Sequence, residues 1–373
     1  MIVVAAWRWR GSPSLDHEPR TVPEPAPRLS VIVPARDEAL HIADCVRSIL
    51  ATEYPALDLL VVDDHSTDDT GARALKAAAG DSRFTLMSPP PLSTGWLGKQ
   101  WACHHGSRVA VGSYLLFTDA DVRHAPDLHA RLLNACEREN ADLISVAGFQ
   151  DTETFWERVV QPFVFSILAQ WYGGAGAVNR SRNPRRKIAN GQCLLFRRAS
   201  YDAFGGHEAV RGKAAEDLAF AQQMTVADFR VHLTLGERQL STRMYASLRE
   251  IVAGWGKNIY AAGRETLPVG PIWDVLARML VPAPALLALA PIVALLAGAT
   301  GRMGHGTLAF GLSATLALLV WFVAIGRAFR IAPWYAVTFP LAAMVFLYIA
   351  LGAVLRGERV RWKGRDYDLR AEA

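Results

Sequence analysis

Short apolar runs alternating with polar, helix-forming stretches organise the first two thirds of the chain, and long apolar runs fill the rest. LSVIVPARDE reads as a buried strand, Leu29 to Val33, stopped by Pro34, with a helix from about Ala39 to Leu50 behind it. LDLLVVDD is a second apolar strand ending in carboxylates. In STDDTGARALKAA, Ser66 or Thr67 is the expected N-cap of a helix, with Asp68 and Asp69 in a first turn whose dipole favours negative charge. Phe84 to Met87 is a short strand, Lys99 to Ala110 a helix, SYLLFTDADV another strand ending in carboxylates, Asp127 to Glu139 a helix, and DLISVAG strand-like again. This alternation predicts βαβ units and an α/β fold with a mostly parallel sheet. Such sheets bind ligands beyond the carboxyl ends of their strands, so the two acidic strand ends are expected to face one crevice.

The pattern changes after residue 280. Stretches 281–299, 307–326 and 334–355 are apolar, with almost no polar residues at a helical period, and each has about the 20 residues that cross a hydrocarbon layer. Arg302, Arg327, Arg330 and Arg356 flank them, and Trp321, Trp334, Tyr335 and Tyr348 suit interfacial belts. Segment 155–172 is apolar and aromatic but holds Glu157, Arg158 and Pro162, which leaves a surface-lying helix and a core helix equally open. The implied organisation is an N-terminal segment and linker (1–28), a catalytic domain (29–265), a membrane region of about three transmembrane helices (266–355) and a basic tail (356–373). Residues 1–11 are too short an apolar run to span, and read as an interfacial anchor or the stub of a span. Pro282, Pro284 and Pro291 suit a bent or re-entrant first stretch, which would leave the basic tail on the cytoplasmic side.

The formal net charge of +5 and the 51% hydrophobic content favour a membrane partner over nucleic acid, because Arg356, Arg359, Arg361, Lys363 and Arg365 lie next to an apolar stretch. Lys363 or Arg365 is expected to meet anionic headgroups or a diphosphate. The four cysteines are scattered, without zinc spacing, and read as small buried hydrophobes. His104, His105 and His207 form no metal pattern, and Trp96, Trp101 and Trp255 read first as packing residues.

Four constellations carry chemistry. Asp63 and Asp64 are either helix-capping carboxylates or acceptors for a base imide or ribose hydroxyl. Asp119 and Asp121 in DAD stand about 7 Å apart at the backbone, yet at a turn they can converge on one hard divalent ion, Mg²⁺ or Mn²⁺, that bridges phosphate oxygens. Glu216 and Asp217 are a helix cap or a general base for an acceptor hydroxyl. Lys99, Arg180, Arg182, Arg185, Arg186, Lys187 and Arg243 are cations that either favour departure of an anionic leaving group or face solvent and lipid.

LSVIVPARDE, LDLLVVDDHSTDDT, LLFTDADV and the later ED, in this order over residues 29–260, resemble the motifs of family 2 inverting glycosyltransferases with the GT-A fold. The resemblance implies that Asp63 or Asp64 holds the nucleoside, with Pro34, Arg36 and Glu38 near it. It implies that Asp119 and Asp121 bind the donor diphosphate through a divalent metal, and that Asp217 is the base. Many membrane-bound members carry QxxRW, where this chain has QLSTRMY: Gln239 and Arg243 stand one residue too far apart and Met244 replaces Trp. That departure argues against processive polymer synthesis and leaves single transfer untouched. GWLGKQWA, IANGQCLLFRR (which adds Gln192 to the substrate-binding set), GGHEAVRG and WKGRDY are similar to enzymes that glycosylate membrane lipids, among them hopanoid-associated and carotenoid glycosyltransferases.

The expected function is transfer from a nucleotide-sugar donor to a membrane-lipid hydroxyl, at the inner, cytoplasmic membrane with the catalytic domain facing the cytoplasm. The alternatives are a polyprenyl-phosphate sugar transferase, whose acceptor needs no strong base, and a catalytically dead membrane interaction protein. A transporter is disfavoured, because three spans rarely make a pathway.

Overall fold

In a computed structural model, which describes residues 11–265, 270–301, 303–357, 359–362 and 365–368, the short apolar runs become one eight-stranded sheet. Its strands are β1 (Leu29–Ala35), β2 (Leu57–Asp63), β3 (Phe84–Met87), β4 (Tyr114–Thr118), β5 (Val122–His124), β6 (Leu143–Gln150), β7 (Cys193–Arg197) and β8 (Val231–Thr242), in the order β3-β2-β1-β4-β7-β6-β8-β5. The β3-β2-β1-β4 half is parallel, as is β6 with β8; β7 runs antiparallel to both its neighbours, and β5 to β8. The principal helices are α1 (Ile42–Leu50), α2 (Thr70–Ala78), α3 (Gly98–Val109), α4 (Leu128–Arg138), α5 (Phe155–Tyr172) and α6 (Glu216–Val226).

The period-2 alternation of the strands sorts their side chains into two cores. Val31, Val33, Leu59, Val61 and Leu116 pack with Ile42, Val46 and Ile49 of α1 and with Leu128 and Leu132 of α4. Ile32, Leu60, Val62, Leu115, Phe117 and Phe196 pack on the other side with Ala102 of α3 and Phe220 of α6. All four cysteines are buried. Each fully buried aliphatic side chain contributes roughly 1.5–3 kcal/mol. Topology then places the site. The chain runs outward through β1, β2 and β3 and returns to the other flank of β1 as β4. The carboxyl ends of β1 and β4 therefore flank the point where the strand order reverses.

Three local expectations are corrected. Pro34 does not stop β1. It pairs in register with Val62, while pairing with β4 ends two residues earlier at Ile32, so no strand remains on that flank to require the missing N–H. The first helix begins at Ile42 rather than near Ala39, and α2 begins at Thr70 with neither Ser66 nor Thr67 as its cap. Both shifts share a cause: the loops after β1 and β2 are bonded to each other. Asp37 N–H donates to Ser66 Oγ at 3.0 Å, Thr67 N–H to Asp37 Oδ1 at 2.7 Å, Ala39 N–H to Asp68 Oδ2 at 3.1 Å and Glu38 N–H to Thr70 Oγ1 at 2.8 Å.

By its internal packing the chain divides into two units. The described residues of 8–150, 174–244 and 361–373 hold the sheet; those of 151–173 and 245–360 are helical. In the helical unit α5 begins with a reciprocal cap, Glu157 N–H donating to Thr154 Oγ1 at 3.4 Å and Thr154 N–H to Glu157 Oε2 at 2.5 Å. It is followed by α7 (Leu248–Glu265), α8 (Ala283–Ala299), α9 (His305–Ala328) and α10 (Phe339–Arg356). Windows Val275–Ala299, His305–Ala328 and Pro333–Arg356 are long and apolar enough to cross a membrane. Segment 155–172 packs on these apolar helices, its Phe163 ring against Phe322 of α9 and Phe346 of α10. Its Gln161 accepts a hydrogen bond from Trp255 Nε1 at 2.8 Å. The prolines do not bend the first stretch into a loop: Pro282 and Pro284 stand at the start of α8, and Pro291 lies inside an unbroken helix. A two-stranded hairpin, β9 (Arg359–Trp362) and β10 (Arg365–Asp368), follows α10. Residues 1–10 and Lys363, on which expectations were placed, lie outside the described residues and side chains.

Candidate active site

The carboxyl end of β4 delivers Asp119 and Asp121 to the crevice. Thr118 is fixed behind them, its Oγ1 donating to the Gln192 carbonyl at 2.8 Å and lying 3.0 Å from His124 Nε2. From the first turn of α3, Lys99 Nζ reaches Asp119 Oδ1 and Glu216 Oε1, each at 2.8 Å. Glu216 and Asp217 open α6, so the DAD segment, the ED pair and Lys99 meet at one point. The Asp217 carboxylate accepts from Gly191 N–H at 2.9 Å and from Leu218 N–H at 2.8 Å. Gly191 fits closely there: a Cβ would stand 3.2 Å from Asp217 Oδ2 and 3.3 Å from Lys99 Nζ, so both side chains would have to give way slightly.

Charge crowding sets the electrostatics. Burial, and then the neighbouring Glu216, push the Asp217 carboxyl up to about 6, against the pull of Lys99. Burial, Asp119 and Glu38 push Asp121 up to about 7. Burial works to lower the Lys99 ammonium, yet Asp119 and Glu216 together hold it well above its ordinary value.

The carboxyl ends of β1 and β2 form a second pole. Asp63 Oδ1 accepts from Ser66 N–H at 2.9 Å and so shapes its own turn. Asp64 is buried; its N–H donates to the Ala35 carbonyl at 2.8 Å, and its carbonyl accepts from Arg36 Nη1 at 2.5 Å. Its carboxylate accepts from Arg365 of β10, Nη1 to Oδ2 at 2.5 Å and Nη2 to Oδ1 at 3.3 Å.

Residues 30–205 match the family model for glycosyl transferase family 2. That stretch is similar to family 2 glycosyltransferase domains, and the chain is a glycosyltransferase. It is 26% identical to the 4,4'-diaponeurosporenoate glycosyltransferase of Staphylococcus aureus strain MRSA252, over 92% of this chain and 89% of that one. Against the enzyme of the same name from strain USA300 it is 28% identical over 64% and 63% of the two chains. Among solved structures it is similar to the mannosyltransferase PcManGT from Pyrobaculum calidifontis in complex with GDP-Man and Mn²⁺, with TM-score 0.54 and 18% identity over 95% of this chain and 93% of that one. That likeness is one of fold, and the fold is GT-A.

Within the glycosyltransferase, the expected site residues fall into three groups. Lys99, Asp119, Glu216 and Asp217 converge directly, and Asp121 lies within the field of Asp119. Pro34, Arg36, Glu38, Asp63 and Asp64 line the β1 and β2 ends, and Glu38 joins the poles through its field on Asp121. Gln192 and Arg243 stand one step away. Gln192 Oε1 accepts from Gln150 and Asn190, each at 3.0 Å, so its amide braces the strand behind Thr118. Arg243 directly follows Thr242, whose Oγ1 donates to the Asp121 carbonyl at 3.3 Å. Of the basic run, Lys187 is buried with its Nζ donating to the Asn179 carbonyl at 3.3 Å. Trp96, Trp101 and His104 pack on one another.

Two residues were missed or misassigned. Gly191 was visible only as the small residue in IANGQ. Arg365 was expected to meet headgroups or diphosphate; it meets a buried carboxylate of its own chain instead, because β10 returns to the β2 end.

The donor set fits a hard divalent cation. Burial first, and then the negative charges of Asp119 and Glu38, push Asp121 up to about 7, and a cation would relieve the charge part of that shift. Among the described residues no three or more His, Cys, Asp or Glu side chains are grouped to hold a metal by themselves. A metal at this site would share its shell with oxygens from outside the protein.

Proposed function

We propose that this glycosyltransferase moves a sugar from a nucleotide-sugar donor to a hydroxyl of a membrane-lipid acceptor, by single displacement with inversion, using Asp217 as general base. The observation that carries the reading is the meeting of Lys99, Asp119, Glu216 and Asp217 at the carboxyl end of β4. Two backbone N–H groups aim the Asp217 carboxylate, and its raised pKa makes it a better proton acceptor than an ordinary aspartate. Asp217 takes the acceptor's hydroxyl proton. The acceptor oxygen then bonds to the anomeric carbon as the bond to the diphosphate breaks on the opposite face. The Lys99 ammonium stands beside Asp119 and favours the departing negative charge, and Arg243, next after Thr242, is the candidate for a second cation. Asp119 and Asp121 would hold Mg²⁺ or Mn²⁺, which supplies Lewis-acid stabilisation of the leaving diphosphate when bound. Asp64, with Arg36 and Pro34 beside it, takes the nucleoside.

The lipid acceptor is supported by the three membrane-length helices and by the relatives named for a carotenoid acid. A nucleotide-sugar donor is cytosolic, which puts the catalytic face on the cytoplasmic side of the inner membrane. The test is to incubate membranes carrying the enzyme with labelled nucleotide sugars and extract the lipids. Label in a lipid, lost in Asp217→Asn, supports the reading. Full activity of Asp217→Asn would favour a polyprenyl-phosphate acceptor, and absence of metal-dependent donor binding would mean a dead site.

A further inference from the structure

The C-terminal hairpin ends in the nucleoside pole. Arg365 lies 301 positions after Asp64 and three membrane-length helices beyond it, yet its guanidinium takes both oxygens of the Asp64 carboxylate. The Asp64 side chain is 2% exposed and Arg365 22%. A carboxylate so deeply withdrawn from water needs a counter-charge, because an isolated buried charge costs several kcal/mol. Among the described residues, the strand ends bond Asp64 through its backbone: Ala35 and Arg36 hold its N–H and carbonyl. Asp63, its neighbour, is spent on its own turn.

We propose that the tail is part of the donor site and that Arg365 is the positioning residue for Asp64. This rests on the reading of Asp64 as the nucleoside acceptor. An Arg fork fixes the plane of the carboxylate and uses one acceptor position on each oxygen. A carboxylate offers about four such positions, so two remain for imide or amino N–H donors of a base. With the tail docked, Asp64 is covered. The hairpin therefore lifts to admit the nucleotide and closes beside the base, and its arginine holds the carboxylate to a single orientation.

The experiment uses the full-length enzyme in detergent with Mn²⁺, and titrates UDP, GDP, CDP and dTDP into wild type, Arg365→Ala, Arg365→Lys and Asp64→Asn by calorimetry. For whichever nucleotide the wild type binds, Arg365→Ala is expected to weaken binding about tenfold or more, and Arg365→Lys, which keeps the charge but loses the fork, by less. At saturating donor, kcat of Arg365→Ala should stay within about threefold of wild type while KM rises. A purely structural role would lower kcat and leave that split absent. If Arg365→Ala does not fold, the Lys variant carries the same reading. Weakened binding in Asp64→Asn with unchanged or tighter binding in both Arg365 variants overturns the proposal alone; tighter binding would make the tail a plug. Unchanged affinity in Asp64→Asn overturns the nucleoside assignment and the proposal with it.

Discussion

The sharpest consequence of the site geometry is a pH profile. As the proposed base, Asp217 would have to be deprotonated to accept the acceptor's proton, and burial with Glu216 beside it pushes its pKa from 3.8 to about 6. The sign follows: the active form is lost as pH falls through about 6. At pH 5 a group titrating at about 6 is about one-eleventh deprotonated, so kcat/KM should be about tenfold below its plateau at pH 8. An unperturbed aspartate at 3.8 would be about 94% deprotonated at pH 5, and the profile would be flat. Glu216→Gln removes the neighbouring negative charge that raises Asp217 and frees Lys99 to act on Asp217 more strongly. Both changes move the acid limb to lower pH, though burial keeps it above the ordinary value. Asp217→Asn should lower kcat about 10²–10⁴-fold, or about 3–5 kcal/mol of barrier, with donor binding preserved. The assay is initial rate of label transfer into lipid from pH 4.5 to 8.5 at subsaturating acceptor. A flat profile together with near-normal turnover in Asp217→Asn would refute the base assignment.

Other outcomes are as direct. Chelation with EDTA should abolish transfer and Mn²⁺ or Mg²⁺ restore it, and Asp121→Asn should raise the metal concentration needed for half-maximal rate. Gly191→Ala presses a methyl toward Asp217 and Lys99 at 3.2 and 3.3 Å, and should cost about tenfold or more in kcat while thermal unfolding shows a folded protein. Thr154→Ala breaks the reciprocal cap of α5 and should destabilise the helical unit by about 1 kcal/mol in detergent melts, leaving nucleotide affinity unchanged.

Much of this was legible in the sequence because the signals are local. Apolar runs bounded by carboxylates give strands with acidic ends, and βαβ alternation puts those ends on one edge. The meeting of Asp119 with Glu216 was not local: it requires β7 to insert antiparallel beside β4, which brings Gly191 and the start of α6 to the same edge. The helix starts near residues 39 and 66 were misread because cross-loop bonds between Asp37, Ser66, Thr67 and Asp68 outcompeted the capping preferences of single residues. Arg365 was read by charge alone. A basic tail beside an apolar stretch points to lipid headgroups until the chain's path shows a buried carboxylate waiting for it.

The same ion pair constrains the membrane topology. Asp64 and Arg365 touch, so the two positions lie on one side of any membrane the chain enters. Between them stand three helices long and apolar enough to cross. One or three crossings would separate the pair; none or two keep it together. The basic flank of the tail, Arg356 onward, argues for the cytoplasmic side, the side of the proposed donor. The prolines do not single out a non-crossing helix, since α8 runs unbroken through Pro291 and packs closely on α9, with Gly311 against the Leu295 backbone and Gly298 against Leu308. Length and hydropathy are satisfied by all three helices, and an Asp64–Arg365 pair that persists in the membrane is consistent with none or two crossings. A cysteine introduced at Ala373, in a chain whose four native cysteines are buried, should therefore resist an impermeant maleimide on intact cells and react once the cells are opened. Labelling on intact cells would mean an odd number of crossings. In that case the Asp64–Arg365 pair would not form in the membrane, and the tail's place in the donor site would fall with it.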